Sequence, residues 1–255
     1  MRFQNWRQNL LVISIILADA PITAKGTVMS RELNDHVIAI GPSDVSLKTT
    51  DVVERIISEI VEAGEVDVVG IDDGIFLVCS AMNMATEIAK IYIDDVCIGS
   101  LEVPVLGKTS ALSAHLVQKQ TWDYAKLAEQ EEKGMADIEE QTVSVSRAAT
   151  MERLLTISLM RLAKFDKIRI VAAGGSINDA VSLALRLTMG QISKDVVGTK
   201  LVHLYSISMR NDPTKSIAAV SIFLQKGIST EYPKRQMDLL KKLESANKNG
   251  SLTLS

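Results

Sequence analysis

Two stretches of this chain, about a hundred residues apart, run through the same order of elements. The first opens at Val37-Ile38-Ala39-Ile40-Gly41 and the second at Val143-Ser144-Val145-Ser146. Each starts with a short β-branched run and passes into a helical pattern. Its apolar face is carried by Val52, Val53, Ile56, Ile57, Ile60 and Val61 in one copy and by Leu154, Leu155, Leu159 and Leu162 in the other. A second apolar strand follows in both, Val66-Asp67-Val68-Val69 and Ile168-Arg169-Ile170-Val171. A glycine-containing turn then leads to a second helix, and two strands close the unit. A repeat of this length fixes the fold class before any single residue does. The chain is therefore read as α+β, two tandem two-layer β-α-β-α-β-β domains, which suits its 255 residues. The expected divisions are an N-terminal extension or extra strand over 1–35, repeat one over 36–120 and a charged helical linker over 121–138. Repeat two then covers 139–227, and a C-terminal helix and tail cover 228–255.

The formal net charge of −3 conceals a polarity. Residues 1–137 hold 11 Lys and Arg against 21 Asp and Glu, whereas residues 138–255 hold 17 against 10. Only the second half has the sign expected of a phosphate binder. Opposite fields that hold the two halves together explain the split equally well. Cys79 and Cys97 lie in apolar runs, and one pair in a long chain is no disulfide framework. Both are expected to be buried thiols of a reduced, cytoplasmic protein. Near the start, Arg2, Arg7 and the apolar run 10–17 resemble a secretory signal. Pro21 disfavours cleavage there, so an extra strand or extension is expected over export, with Met29 as an alternative start.

Local signals fill in the elements. Asp51 with Glu54 is read as capping the first helix, and Gly64 as ending it. The second helix, expected over 75–93, is apolar on nearly every side and so should be buried on two faces, with Met82, Met84 and Ile88 in an inter-domain contact. Strands are expected over 96–105 and 112–117. In repeat two, Thr150 should cap the first helix and the second should cover 177–189. Strands over 200–209 and 216–224 should flank a polar turn. A last helix over 233–246 presents Met237, Leu240 and Leu243.

A catalytic constellation is not found. His36, His115 and His203 are scattered, with no metal-ligand spacing, so neither metal nor cofactor is expected. Asp72-Asp73, at a strand end, could bind a metal or act as a base, but capping the next helix is the cheaper reading. Gly174-Gly175-Ser176 is the most suggestive turn, because two glycines and a serine opening a helix present backbone N–H groups at a positive dipole end. It lacks the Lys of a phosphate loop and the third glycine of a dinucleotide fingerprint. Close packing alone would also explain the glycines.

The run from Ile168 to Val181, containing Ala173-Gly174-Gly175-Ser176-Ile177 and Ala180-Val181, resembles the Alba family of archaeal chromatin and RNA-binding proteins. Gly174, Ile177, Ala180 and Val181 match that family's turn, while Ala173 and Gly175 stand where it has basic residues. The family's basic first loop corresponds to Gly41-Pro42-Ser43-Asp44 in repeat one and to Ser146-Arg147-Ala148-Ala149 in repeat two, where only Arg147 is basic. The resemblance implies a fold like the C-terminal domain of translation initiation factor three and a dimer built within one chain. It also implies non-enzymatic binding of DNA or RNA. Arg147 would meet a phosphate at the helix entrance, the amides of Gly174, Gly175 and Ser176 a second one, and Arg210 and Lys215 would reach from the final hairpin into a groove. Two alternatives stay open. One is a regulatory protein that has lost nucleic-acid binding and uses its acidic half on basic partners, Alba-type proteins included. The other is a small-molecule or nucleotide-binding enzyme built on Gly174-Gly175 and Asp72-Asp73. No membrane partner is expected, and an exposed second helix would point to a further homo-oligomer.

Overall fold

The computed structural model describes residues 36–44, 46–89, 91–103, 107–118, 141–189, 196–209, 212–230 and 234–248. The expectations for 1–35, for the linker 121–138 and for Arg210 lie outside the described residues. The protein is α+β, with two sheets of four strands each. The first half contains β1 (Val37–Ile40), α1 (Thr49–Ala63), β2 (Glu65–Ile71), α2 (Gly74–Ile88), β3 (Ile91–Val103) and β4 (Gly107–Gln118). The second contains β5 (Thr142–Ser144), α3 (Met151–Phe165), β6 (Lys167–Ala173), α4 (Ile177–Thr188), β7 (Val197–Met209) and β8 (Asp212–Lys226), and α5 (Lys234–Lys248) follows. The strand orders are β1-β2-β4-β3 and β5-β6-β8-β7. In each, the first pair is parallel and the rest antiparallel.

The halves correspond point for point. Gly64 ends α1 with φ +82° and Asp166 ends α3 with φ +59°. The carbonyl of each then accepts the N–H that closes its sheet, Gln118 to Gly64 at 3.0 Å and Lys226 to Asp166 at 2.9 Å. A left-handed residue at that position lets the chain leave the helix and enter the next strand at once.

Several boundaries differ from expectation. Helix α1 begins at Thr49 with Lys48 at its cap and no side-chain bond there, so Asp51 lies within the first turn, where its charge suits the helix dipole instead. Val61 is 73% exposed and lies off the apolar face. Thr150 does cap α3, its Oγ1 accepting the Arg153 N–H at 3.4 Å. Helix α2 ends at Ile88, and Ile91 and Ile93 belong to β3. The β-branched and aromatic Ile91-Tyr92-Ile93 suits a strand better than a helix end. Both hairpins pair further than their apolar centres suggest. The register in the second continues through Ser208↔Ser216 to Met209↔Asp212, leaving a shorter turn than the polar run implied.

One continuous core joins the halves. Ile75, Val78, Cys79 and Met82 of α2 are fully buried with Ile177, Val181 and Ala184 of α4. Helix α2 lies on its own β2 and reaches β7 and β8, while α4 lies on its own sheet and reaches β3 and β4. This reciprocity is that of a two-fold interface folded into one chain. Met82 is fully buried and Met84 packs against the core, as expected, but Ile88 at the helix end is 37% exposed. Burial of each large apolar side chain there stabilises the pair by about 1.5–3 kcal/mol. Polar ties cross the same seam. Asn83 Nδ2 donates to the Tyr205 carbonyl at 3.0 Å, and the Ser110 and Ser182 hydroxyls lie 2.8 Å apart.

Helix α5 returns from the end of the second half to the outer face of the first sheet. Leu239, Leu243 and Ala246 bury there against Val69, Ile71, Leu101, Val103 and Ala111. The buried stripe is thus Gln236, Leu239, Leu243 and Ala246, with Leu240 packed beside it, whereas Met237 is 39% exposed. A glutamine enters that stripe because Asp67 waits beneath it. Gln236 Nε2 donates to Asp67 Oδ1 at 3.0 Å, His115 Nδ1 lies 3.1 Å from the same oxygen, and Arg235 Nε donates to Asp67 Oδ2 at 3.2 Å. Burial raises the Asp67 carboxyl, but the His115 hydrogen bond and the Arg235 charge outweigh it and hold the group below its ordinary value.

Candidate nucleic-acid interface

Strand β6 delivers its last residue, Ala173, to a single 3-10 turn, Gly174–Ser176, that leads directly into α4. Gly174 has φ +58°, a conformation that glycine adopts without strain. A Cβ on it would lie 2.7 Å from Ile217 Cδ1 of β8, so the hairpin closes over the turn. Gly175 makes its close contact on another side, with the far end of an exposed side chain. The Arg147 guanidinium rests directly on it, and any Cβ there would overlap Arg147 Nη2. Arg147 reaches this place from an exposed turn after β5, closed by the Ala149 N–H donating to the Ser146 carbonyl at 3.0 Å.

The fold therefore brings Arg147, Gly174, Gly175 and Ser176 together although they come from two separate connections. Ser176 is buried and its side chain makes no cap bond. Lys215 stands two residues along β8 from Ile217, hence on the same side of the strand. Its Nζ lies 3.0 Å from Asp212 Oδ2, an exposed pairing that partly offsets its charge. Arg210, between the hairpin strands, is outside the described residues. Arg169, another basic residue of this half, is committed elsewhere. Its Nε and Nη2 donate to Ser221 Oγ at 3.1 and 2.9 Å while the guanidinium lies over the Phe223 ring.

The matching turn of the first half has the opposite character. Asp72 takes the left-handed conformation, φ +50°, and Asp73 follows it. The expected capping is not made, because Asp73 has helical backbone angles and its side chain bonds no amide of α2. Burial, and then the neighbouring Asp73, raise the Asp72 carboxyl above its ordinary value. The loop matching that of Arg147 closes on itself, the Gly41 N–H donating to Asp44 Oδ2 at 2.9 Å.

Other candidate chemistry resolves into structure. His36 Nδ1 lies 3.0 Å from Glu59 Oε2, His115 belongs to the Asp67 network, and His203 stacks on Tyr205. Cys79 and Cys97 are buried thiols, each pushed up to about 12 by burial. Among the described residues no group of three His, Cys, Asp or Glu could hold a metal ion, and no helix is long and apolar enough to cross a membrane.

No protein-family model matches the chain, and no curated protein does. The solved structure of ALBA1 from Trypanosoma brucei is similar at 18% identity, over 43% of this chain and 84% of that one, with a TM-score of 0.29. A score this low adds nothing to the fold argument, which rests on the strand registers above.

Proposed function

We propose that the second half binds the phosphate backbone of a nucleic acid, DNA or RNA, and that the acidic first half serves as its built-in structural partner. The domains on this reading are 36–120 and 139–227, and the protein is a non-enzymatic binder. The observation that carries the proposal is the Arg147 guanidinium seated on Gly175 at the start of α4. A guanidinium beside the backbone N–H groups of a helix N-terminus offers charge-assisted donors to one anion from two directions. The resemblance of repeat two to the Alba turn points to the same residues. Lys215 and Arg210 would extend the contact along the hairpin. Such contacts position a duplex without reading its bases.

The test is a salt-dependent titration of the protein against duplex DNA and structured RNA. Three to five phosphate contacts give a logarithmic slope of about −3 to −4.5 on duplex DNA. Arg147→Ala should flatten that slope by about one unit with little change in sequence preference, whereas Lys48→Ala in the acidic half should leave it unchanged. Absence of binding to both polymers at low salt would overturn the proposal in favour of the regulatory alternative. The acidic first half, with its Asp72-Asp73 turn, is the feature that would then matter.

A further inference from the structure

We propose that the cavity between α4 and the β3–β4 hairpin is a binding site for a small phosphate ester bearing free hydroxyls, of the nucleoside monophosphate class. It is separate from the Arg147 turn, and it becomes visible when the two sides of the seam are compared. On one side, Glu87 near the end of α2 points across to the second hairpin, where the Ser206 and Ser216 hydroxyls both donate to its Oε1 at 3.2 and 3.3 Å. That carboxylate bridges the two hairpin serines from an exposed position on its side of the seam.

The other side has the same backbone and different chemistry. Counting from the left-handed turn residue, Asp72 or Gly174, the place of Glu87 is taken by Met189. The hairpin registers put Ser100 opposite Ser110 where Ser206 faces Ala218, and Glu102 opposite Lys108 where Ser208 faces Ser216. Ser100 therefore occupies the place of Ser206, and Lys108 that of Ser216. The place of the carboxylate that bridges the first side is held here by the uncharged Met189. Instead there is an open cavity of about 570 Å³, lined by Met189, Ser100, Lys108 and the Ser110–Ser182 hydroxyl pair, with Arg186 at its edge. The volume lies within the usual range for small-ligand sites.

The lining specifies the ligand. Lys108 from the first half and Arg186 from the second both line the cavity and supply positive charge, and both are exposed to incoming solute. Among the described residues no ion pair involves Arg186. Three serine hydroxyls offer donors and acceptors to ester and sugar oxygens. Asp72 also lines the cavity, and a carboxyl there suits a ligand that brings a hydroxyl or amino donor along with its phosphate, in preference to a bare dianion.

Adenosine 5′-monophosphate, ribose 5-phosphate and inorganic phosphate are the probes, titrated calorimetrically into the full chain. The nucleotide should bind saturably with one site per chain, at least about tenfold more tightly than inorganic phosphate. Arg186→Ala, at an exposed position, should weaken it about tenfold, the loss of one charge-assisted contact. Met189→Glu should remove binding by restoring the carboxylate of the opposite side, and should leave duplex affinity unchanged, so that this proposal and the nucleic-acid reading fail separately. Thermal unfolding checks both variants, and Arg186→Ala decides if Met189→Glu does not fold. No saturable binding by the wild type at millimolar nucleotide, or wild-type affinity in the folded variants, would overturn the proposal.

Discussion

The two halves share a backbone and oppose each other in charge. Where β2 places Asp67 on its outer face, β6 places Arg169; where the first turn has Asp72-Asp73, the second has Gly174-Gly175; where α2 carries Glu87, Met189 follows α4. The consequences differ at each pair. Asp67 is drawn into a buried cluster with His115, Arg235 and Gln236 beneath α5, whereas Arg169 is satisfied within its own sheet by Ser221 and Phe223. The lesson is that strand register and turn conformation are held in common while the side chains on them give the two halves opposite chemistry.

The comparison breaks most visibly at the seam. Met82→Ala removes a fully buried side chain shared by both halves. It should cost about 2–5 kcal/mol in chemical denaturation. A single cooperative transition in that variant would mean that the halves unfold together, and two transitions that the seam alone joined them.

The outer faces give the next largest difference. Asp67→Ala strips a buried cluster of the acceptor that His115, Arg235 and Gln236 share, and should cost about 3 kcal/mol. Arg169→Ala, at the matching position, should cost about 1 kcal/mol, since a half-exposed residue is lost whose partners, Ser221 and Phe223, lie in its own sheet. Equal costs would show that α5 contributes little. The Asp67 effect carries a pH signature. Its carboxyl is depressed in the folded protein, so its contribution is fully present above its unfolded value, near 3.9, and fades as pH falls through the lower folded value. The stability gap between wild type and Asp67→Ala should therefore narrow below about pH 4.

The smallest expected effect is at the matching helix ends. Gly64→Ala forces a side chain into a left-handed position and should cost about 1 kcal/mol. Asp166→Gly relieves that strain in the other half and should change stability by only a few tenths of a kcal/mol, in the favourable direction if strain outweighs the Lys226 pairing at 3.5 Å.

The repeat was legible in the sequence because apolar spacing is a local signal, and so were Gly64 and Thr150, whose roles depend on their nearest neighbours. Boundaries blurred where apolar residues ran on, as from Ile88 to Ile93, since one isoleucine suits a helix face and a strand alike. Long-range meetings left little trace. Gln236 and Asp67 stand 169 positions apart, and neither betrays the other. The helix pattern in 233–246 was clear, but the choice of Gln236 over Met237 for its inner face was made by a carboxylate in a distant strand. Gly175 was readable as a glycine that close packing would explain. That the packing partner is Arg147 required the two connections to be placed side by side.

The return of α5 to the first sheet also sets an order of events on the ribosome. The first half contains every strand of its sheet once Gln118 has emerged, yet Leu239 and Leu243, which cover Val69, Ile71, Leu101 and Val103, come last. At the usual 5–20 residues per second, that apolar face waits roughly 6–25 s for its cover. A nascent chain of this protein therefore offers a chaperone a long interval in which a nearly complete sheet is open on one side, and translation pauses between the halves would lengthen it.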